Sequence, residues 1–199
     1  MLLYDSPVSG NCYKVRLVLA HLGVPYERHT LDVIDRSDRP DLIGHLNPAL
    51  RVPTLVFDDG RALAESNAII WFLADGTTWI PDDPFERAQM LQWQFFEQYD
   101  HEPTIAVARF MLMVSGEPER YAAELPVKQA GGYRALDAME RHLDGRAYLV
   151  GDSPTLADIS LYAYTHVADE AGLDLGRYPA IGAWLDKIAA LPGHVTITA

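Results

Sequence analysis

The sequence predicts an α/β unit followed by an all-helical unit, and three observations carry that expectation. Over the first 76 residues, short apolar runs alternate with helical patterns in the order β-α-β-α-β-β-α. Residues 77–84, Thr77-Thr78-Trp79-Ile80-Pro81-Asp82-Asp83-Pro84, form a turn-rich connector. Beyond it, helical periodicity runs to the tail with no convincing strand. The expected division is therefore residues 1–76, a linker over 77–84, and a helical unit over 85–199.

Leu2 and Leu3 open the first strand and Pro7 stops it. Ser9, Gly10 and Asn11 are turn and N-cap residue types. Val15, Val18, Leu19 and Leu22 follow at the i, i+3, i+4, i+7 spacing of an amphipathic helix. The loop from Tyr4 to Cys12 thus delivers small hydrogen-bonding side chains to a helix N-terminus. There, unpaired N–H groups and the helix dipole favour an anion, which we read as a thiolate. Gly23-Val24-Pro25 breaks the helix, and Tyr26 to Leu31 reads as a strand parallel to the first through a right-handed crossover.

Residues 32–48 are polar, with a short irregular helix expected around Pro40 to His45. Val52 to Phe57 reads as a strand with its proline at the start, where a missing N–H is tolerated. Asp59-Gly60 marks a hairpin into Ala62-Leu63-Ala64. Glu65-Ser66-Asn67 caps a helix through Ile69, Ile70, Phe72 and Leu73 that stops near Gly76. In the second unit, Phe85 to Val114 carries one long helical pattern with Trp93, Phe95, Phe96, Tyr99 and Phe110. Glu119 to Leu143 carries another, with a kink expected at Gly131-Gly132. A third helix starts at Thr155, where Asp158 three residues on completes a capping box. A fourth runs through Ile181, Trp184, Leu185, Ile188 and Leu191 to Pro192-Gly193.

Composition excludes several classes of function. A net charge of −12 disfavours nucleic-acid and anionic-membrane surfaces, which need clustered Lys and Arg. An anionic ligand would have to be held by a local cluster working against the global field. With Cys12 alone there is no intrachain disulfide and no CxxC pair. The longest apolar run, Ala68 to Ala74, is too short to span a bilayer, and no basic-then-apolar leader is visible. A cytoplasmic protein is expected. GxSxG, Walker A and GxGxxG are absent, and His101-Glu102 is not HExxH because residue 105 is Ile. No metal is expected.

Several short motifs occur together in order: Ser9 to Arg16 (S-G-N-C-Y-K-V-R), Asn47-Pro48, Val52-Pro53-Thr54-Leu55, Glu65-Ser66-Asn67-Ala68-Ile69, and Gly151-Asp152 with Thr155 and Asp158. In that order and spacing the chain resembles the cytosolic glutathione transferases over essentially its whole length, with a serine-type motif. The stretch from Phe96 to Pro103, with Ile105, Ala106 and Arg109-Phe110, is similar to a bacterial subgroup of that family. The resemblance implies a thioredoxin-like N-terminal domain, an all-helical C-terminal domain, glutathione in the cleft between them, and a homodimer.

It also implies roles. A free thiol has a pKa near 8.5, and holding it mostly ionised at pH 7 takes about 2.7 kcal/mol of selective stabilisation. A hydroxyl donating to the sulfur supplies ~1.5–3 kcal/mol and a helix N-terminus ~0.3–1 kcal/mol, so together they suffice without a general base. By resemblance Ser9 is the catalytic hydroxyl; otherwise it shapes the loop. Asn11 is a second donor to the sulfur or the N-cap of the first helix, and Tyr4 packs. Cys12 is displaced into the helix relative to the family's cysteine classes and reads as inert.

For the tripeptide, Ser66 would meet the γ-glutamyl carboxylate and Glu65 the ammonium, or the two would simply cap their helix. Val52 would present its backbone to the cysteinyl part across a cis bond to Pro53. Arg51 and Lys14 are candidates for the glycyl carboxylate or solvated cations. Tyr99, His101, Arg109 and Phe110 are candidates for the second-substrate site or for core. The expected activity is conjugation of glutathione to small hydrophobic electrophiles. The alternatives are a glutathione-dependent disulfide reductase or peroxidase, suggested by Ser9-Gly10-Asn11, and a non-catalytic binding protein.

Overall fold

A computed structural model describes all residues, 1–199, and divides into two units: Met1–Thr77 with Pro192–Ala199, and Thr78–Leu191. The expected helical unit runs to residue 199, whereas the last eight residues group with the first unit.

The first unit is thioredoxin-like. Four strands, β1 (Leu2–Asp5), β2 (Glu27–Thr30), β3 (Thr54–Val56) and β4 (Ala62–Ala64), form a mixed sheet in the order β2-β1-β3-β4. β1 pairs parallel to β2 and antiparallel to β3, with Leu3 opposite both Arg28 and Leu55. β3 and β4 form the hairpin expected at Asp59-Gly60, with Gly60 at φ 85°. Every residue of β2 is exposed, and its Glu-Arg-His-Thr sequence suits an edge that must not recruit another strand. Three helices complete the unit: α1 (Gly10–His21), α2 (Arg39–Ile43) and α3 (Ser66–Leu73). Leu3, Val15, Leu55, Ile69 and Ile70 have no exposed surface and form the core under α1 and α3.

α1 departs from the amphipathic helix expected of it, because residues 12 to 19 are all buried, Lys14 and Arg16 among them. Both charges are tolerated because polar partners inside the fold receive them.

The second unit is all-helical: α4 (Pro84–Phe96), α5 (Glu102–Arg109), α6 (Leu125–Leu143), α7 (Leu156–Thr165) and α8 (Pro179–Ala189). Asp83 caps α4 by accepting from the N–H groups of Phe85 and Glu86, both at 2.9 Å. The single helix expected over 85–114 is split by two π turns, Glu97–His101 and Phe110–Val114. Pro103 accounts for the first: it has no N–H and its ring would meet the carbonyl of Tyr99, so the preceding turn widens.

The Gly131-Gly132 pair serves close approach within an unbroken α6. A Cβ on Gly131 would lie 2.5 Å from Thr104 on α5, and one on Gly132 would lie 2.8 Å from Leu173. The capping box of α7 is present as expected, and the buried Asp158 carboxylate also accepts from Leu149 N–H (3.0 Å) and Trp184 Nε1 (2.9 Å).

Candidate functional site

The expected first-unit residues lie on two helix N-termini and the loop before β3. Ser9 is the N-cap of α1, with φ −86° and ψ 119°, and its Oγ accepts from Cys12 N–H at 3.3 Å. That removes Asn11 as the cap. The cap uses one acceptor position of the Ser9 hydroxyl, which also hydrogen-bonds with the Cys12 thiol.

Asn11 sits in the first turn of α1. Its Oδ1 accepts from Lys14 Nζ at 2.8 Å and from Ser66 Oγ at 3.2 Å, and Lys14 Nζ also reaches Ser66 Oγ at 3.3 Å. Lys14 has no exposed surface, so the solvated-cation reading fails for it, whereas Arg51 is exposed. The result is a buried ammonium beside the first residues of both α1 and α3, where two sets of orphan N–H groups add their partial positive charge.

Glu65, the N-cap of α3, makes no side-chain cap bond and holds a left-handed backbone at φ 66°. A glutamate there costs about 1–3 kcal/mol, and strain of this kind gathers at ligand clamps. The Glu65 side chain thus does not cap α3, although its carbonyl accepts from Ile69 N–H at 2.9 Å.

The Val52–Pro53 peptide is cis, the geometry the family resemblance implies. The sheet ladder starts only at Thr54, so the backbone of Val52 lies outside it. Asn47 braces this loop. Its Nδ2 donates to the Arg51 carbonyl at 2.9 Å and to Thr54 Oγ1 at 3.0 Å, and the buried Arg39 donates to the Leu50 carbonyl at 2.9 Å.

Cys12 is fully buried. Burial, helped by the nearby Asp5 carboxylate, pushes its thiol up to about 12, and hydrogen bonding with Ser9 and the Ser6 backbone offsets only part of this. Burial therefore favours the protonated thiol at neutral pH. Tyr4 packs its ring 5.3 Å from that of His29.

In the second unit the expected substrate residues are dispersed. His101 is fully buried, with Nε2 2.8 Å from Thr165 Oγ1. Arg109 is buried and pairs with Glu170 at 2.6 Å. Phe110 faces the ring of Tyr121 at 6.4 Å. Tyr99 alone is solvent-facing, 85% exposed, and with Phe96, Asp100, Thr104 and Arg134 it lines a 360 Å³ pocket. No group of three or more His, Cys, Asp or Glu is placed to hold a metal, and no helix is long and apolar enough to cross a membrane.

Residues 8–75 match the family model "Glutathione S-transferase, N-terminal domain" and residues 101–192 the model "Glutathione S-transferase, C-terminal domain". A glutathione S-transferase from Pseudomonas fluorescens Pf-5 superposes with a TM-score of 0.96 at 48% identity, covering 100% of this chain and 98% of that one. The chain belongs to the glutathione S-transferase family. A possible transferase from Rhodopseudomonas palustris gives a TM-score of 0.95 at 44% identity, over 100% of this chain and 98% of that one. Glutathione S-transferase 3 of Zea mays is 31% identical over 96% of this chain and 89% of its own length.

Glutathione is the ligand that this family binds. Sequence reasoning missed two features of this transferase's first unit. Asn47 was visible only as part of a motif, although its position before a Pro-rich loop suggested a side chain closing a turn on its own backbone. The deep burial of Lys14 left no trace, since a lysine in a helical pattern reads as solvated.

Proposed function

We propose that this transferase conjugates the thiolate of glutathione to small hydrophobic electrophiles, with Ser9 as the donor that holds the sulfur ionised. The observation that supports it most is the cap geometry. Ser9 Oγ is fixed at the start of α1 by Cys12 N–H, its O–H can turn from the buried Cys12 thiol to an arriving sulfur, and burial holds that thiol protonated. On this reading the glutathione proton leaves to solvent. The sulfur lone pair then forms the carbon–sulfur bond, and with an aryl halide the halide departs with its bonding pair.

The remaining roles follow from the charges. The γ-glutamyl carboxylate sits on Ser66 at the N-terminus of α3, with the Lys14 ammonium behind it, so Lys14 serves this end of the tripeptide and not the glycyl end. Glu65 faces the γ-glutamyl ammonium. Val52 pairs its backbone with the cysteinyl portion at the cis bond to Pro53, and the exposed Arg51 takes the glycyl carboxylate. In a chain of net charge −12, this local positive cluster is what admits an anionic ligand. The protein acts as a homodimer, an inference from the family that sedimentation tests, and Tyr99 marks the second-substrate side.

The second reading, glutathione-dependent disulfide reduction, draws on Asn11, which the Lys14 and Ser66 contacts hold within the same loop. Retention on immobilised glutathione tests the family role. Parallel assays with an aryl halide and with 2-hydroxyethyl disulfide then rank the two activities. Faster turnover of the aryl halide supports conjugation, and turnover of the disulfide alone overturns it.

A further inference from the structure

We propose that Arg16 is a positioning residue for Ser9, and that the backbone of residues 192–199 is the strap that holds Arg16 in place. The effect on glutathione chemistry rests on the Ser9 reading above, whereas the effect on the loop stands apart from it.

Arg16 is 1% exposed and Asp5 is fully buried. Arg16 Nη1 spans both Asp5 oxygens at 2.7 and 2.8 Å and also donates to the Ser6 carbonyl at 3.2 Å. Its Nη2 reaches the Pro7 carbonyl at 3.5 Å. The Ser6 carbonyl is the one that accepts Ser9 N–H at 3.1 Å. One planar guanidinium therefore grips two carbonyls of the three-residue segment that leads into Ser9.

The tail completes this arrangement mainly through backbone oxygens, with His194 Nε2 also 3.4 Å from Tyr13 Oη. Nη2 of Arg16 donates to Ile197, Tyr13 Oη donates to Val195 at 2.6 Å, and Arg28 Nη1 donates to Ala199 at 2.6 Å. His21 Nδ1 lies 2.8 Å from the Pro192 carbonyl. Three of these four side chains project from α1 and the fourth from β2.

Charge explains the choice of partner. Arg28 also binds Asp5, at 2.6 Å, so two guanidinium groups share one buried carboxylate. A buried ion pair repays its desolvation only when its remaining donors are met. The Ile197 carbonyl meets one donor of Arg16 without adding a charge, while Arg16 Nε is left without a partner.

The test uses two full-length variants. Arg16→Lys keeps a charge toward Asp5 but cannot span Asp5, Ser6, Pro7 and Ile197 together. Tyr13→Phe loosens the strap without touching the loop, and it decides the matter if the first variant folds poorly. Amide hydrogen exchange is followed at Ser9 and Cys12, with the amides of α3 as internal reference, beside the pH profile of glutathione conjugation. In Arg16→Lys, the Ser9 and Cys12 amides exchange about tenfold faster relative to α3, as expected for loss of about one net hydrogen bond. The thiol pKa in the pH profile rises with them. Tyr13→Phe moves both readouts the same way by less. Lower thermal stability with unchanged relative exchange at Ser9 and Cys12 overturns the proposal and leaves the strap purely structural. Faster loop exchange with an unmoved pH profile upholds the strap and overturns the role given to Ser9.

Discussion

Lys14 and Ser66, 52 residues apart in the chain, meet inside the first unit with Nζ 3.3 Å from Oγ, and Asn11 Oδ1 lies between them as the shared acceptor. A charge carried by α1 is thereby delivered to the N-terminus of α3. Burying an ammonium there is costly, and Asn11 and Ser66 offset part of that cost.

Replacing Lys14 by Met removes that charge while keeping most of the volume. A hydrogen bond to a charged group is worth about 1.5–3 kcal/mol, so affinity for glutathione should fall roughly 10- to 100-fold. The pH profile of turnover at saturating glutathione should keep its midpoint, because the proposed pose puts the sulfur at the other end of the site. Calorimetric titration checks the first point and steady-state kinetics the second. Unchanged affinity in a folded variant removes Lys14 from the γ-glutamyl end.

Cys12 gives a prediction in pH. Its thiol is raised from 9.0 to about 12 in the folded protein. A thiol whose folded pKa lies above its unfolded value contributes stability that is complete below pH 9 and is lost as pH rises toward 12. Chemical denaturation at successive alkaline pH values should show that decline, and Cys12→Ser or Cys12→Ala should flatten it. For the same reason, incubation with oxidised glutathione at neutral pH should leave no adduct by mass spectrometry. A stable adduct would show that the thiol is reached and ionised.

Asp158 is a stability residue of the second unit. It accepts from the backbone of Leu149 and Thr155 and from Trp184 Nε1, and Trp184 is itself only 1% exposed. Asp158→Ala strands three buried N–H groups and should cost about 3–5 kcal/mol. Thr155→Ala, which loses the cap alone, should cost about 1–2 kcal/mol. Urea unfolding should rank them in that order; equal costs would mean that the carboxylate serves only the cap.

The sheet and the three helices of the first unit could be read from the chain because Gly, Pro and Asp punctuate it: Asp59-Gly60 turns the hairpin and Pro53 precedes β3. In the second unit Thr155 marks the start of α7, but the expected single helix over 85–114 is two, α4 and α5. The π turns could not, because a widened turn keeps the residue types of an ordinary helix, and only Pro103 hinted at it. Ser9 was legible as a cap type on a helix. The burial of Lys14 and Arg16 was not, since the partners that make it tolerable, Ser66 and the tail carbonyls, lie 52 and 181 residues away. The tail itself was opaque for a further reason: most of its bonds are made by its backbone rather than its side chains. The expected second-substrate set divides, with His101 and Arg109 buried and Tyr99 exposed, a distinction the aromatic spacing alone did not resolve.

The pKa of the glutathione thiol bound to the protein, read from thiolate ultraviolet absorbance against pH in wild type and Ser9→Ala, tests the central claim most directly. The account predicts a bound thiol about 2 units below the free value of ~8.5 in wild type, and a rise of at least 1 unit in Ser9→Ala with glutathione still bound. An equally low value in both proteins would contradict it and place the ionising group elsewhere in the site.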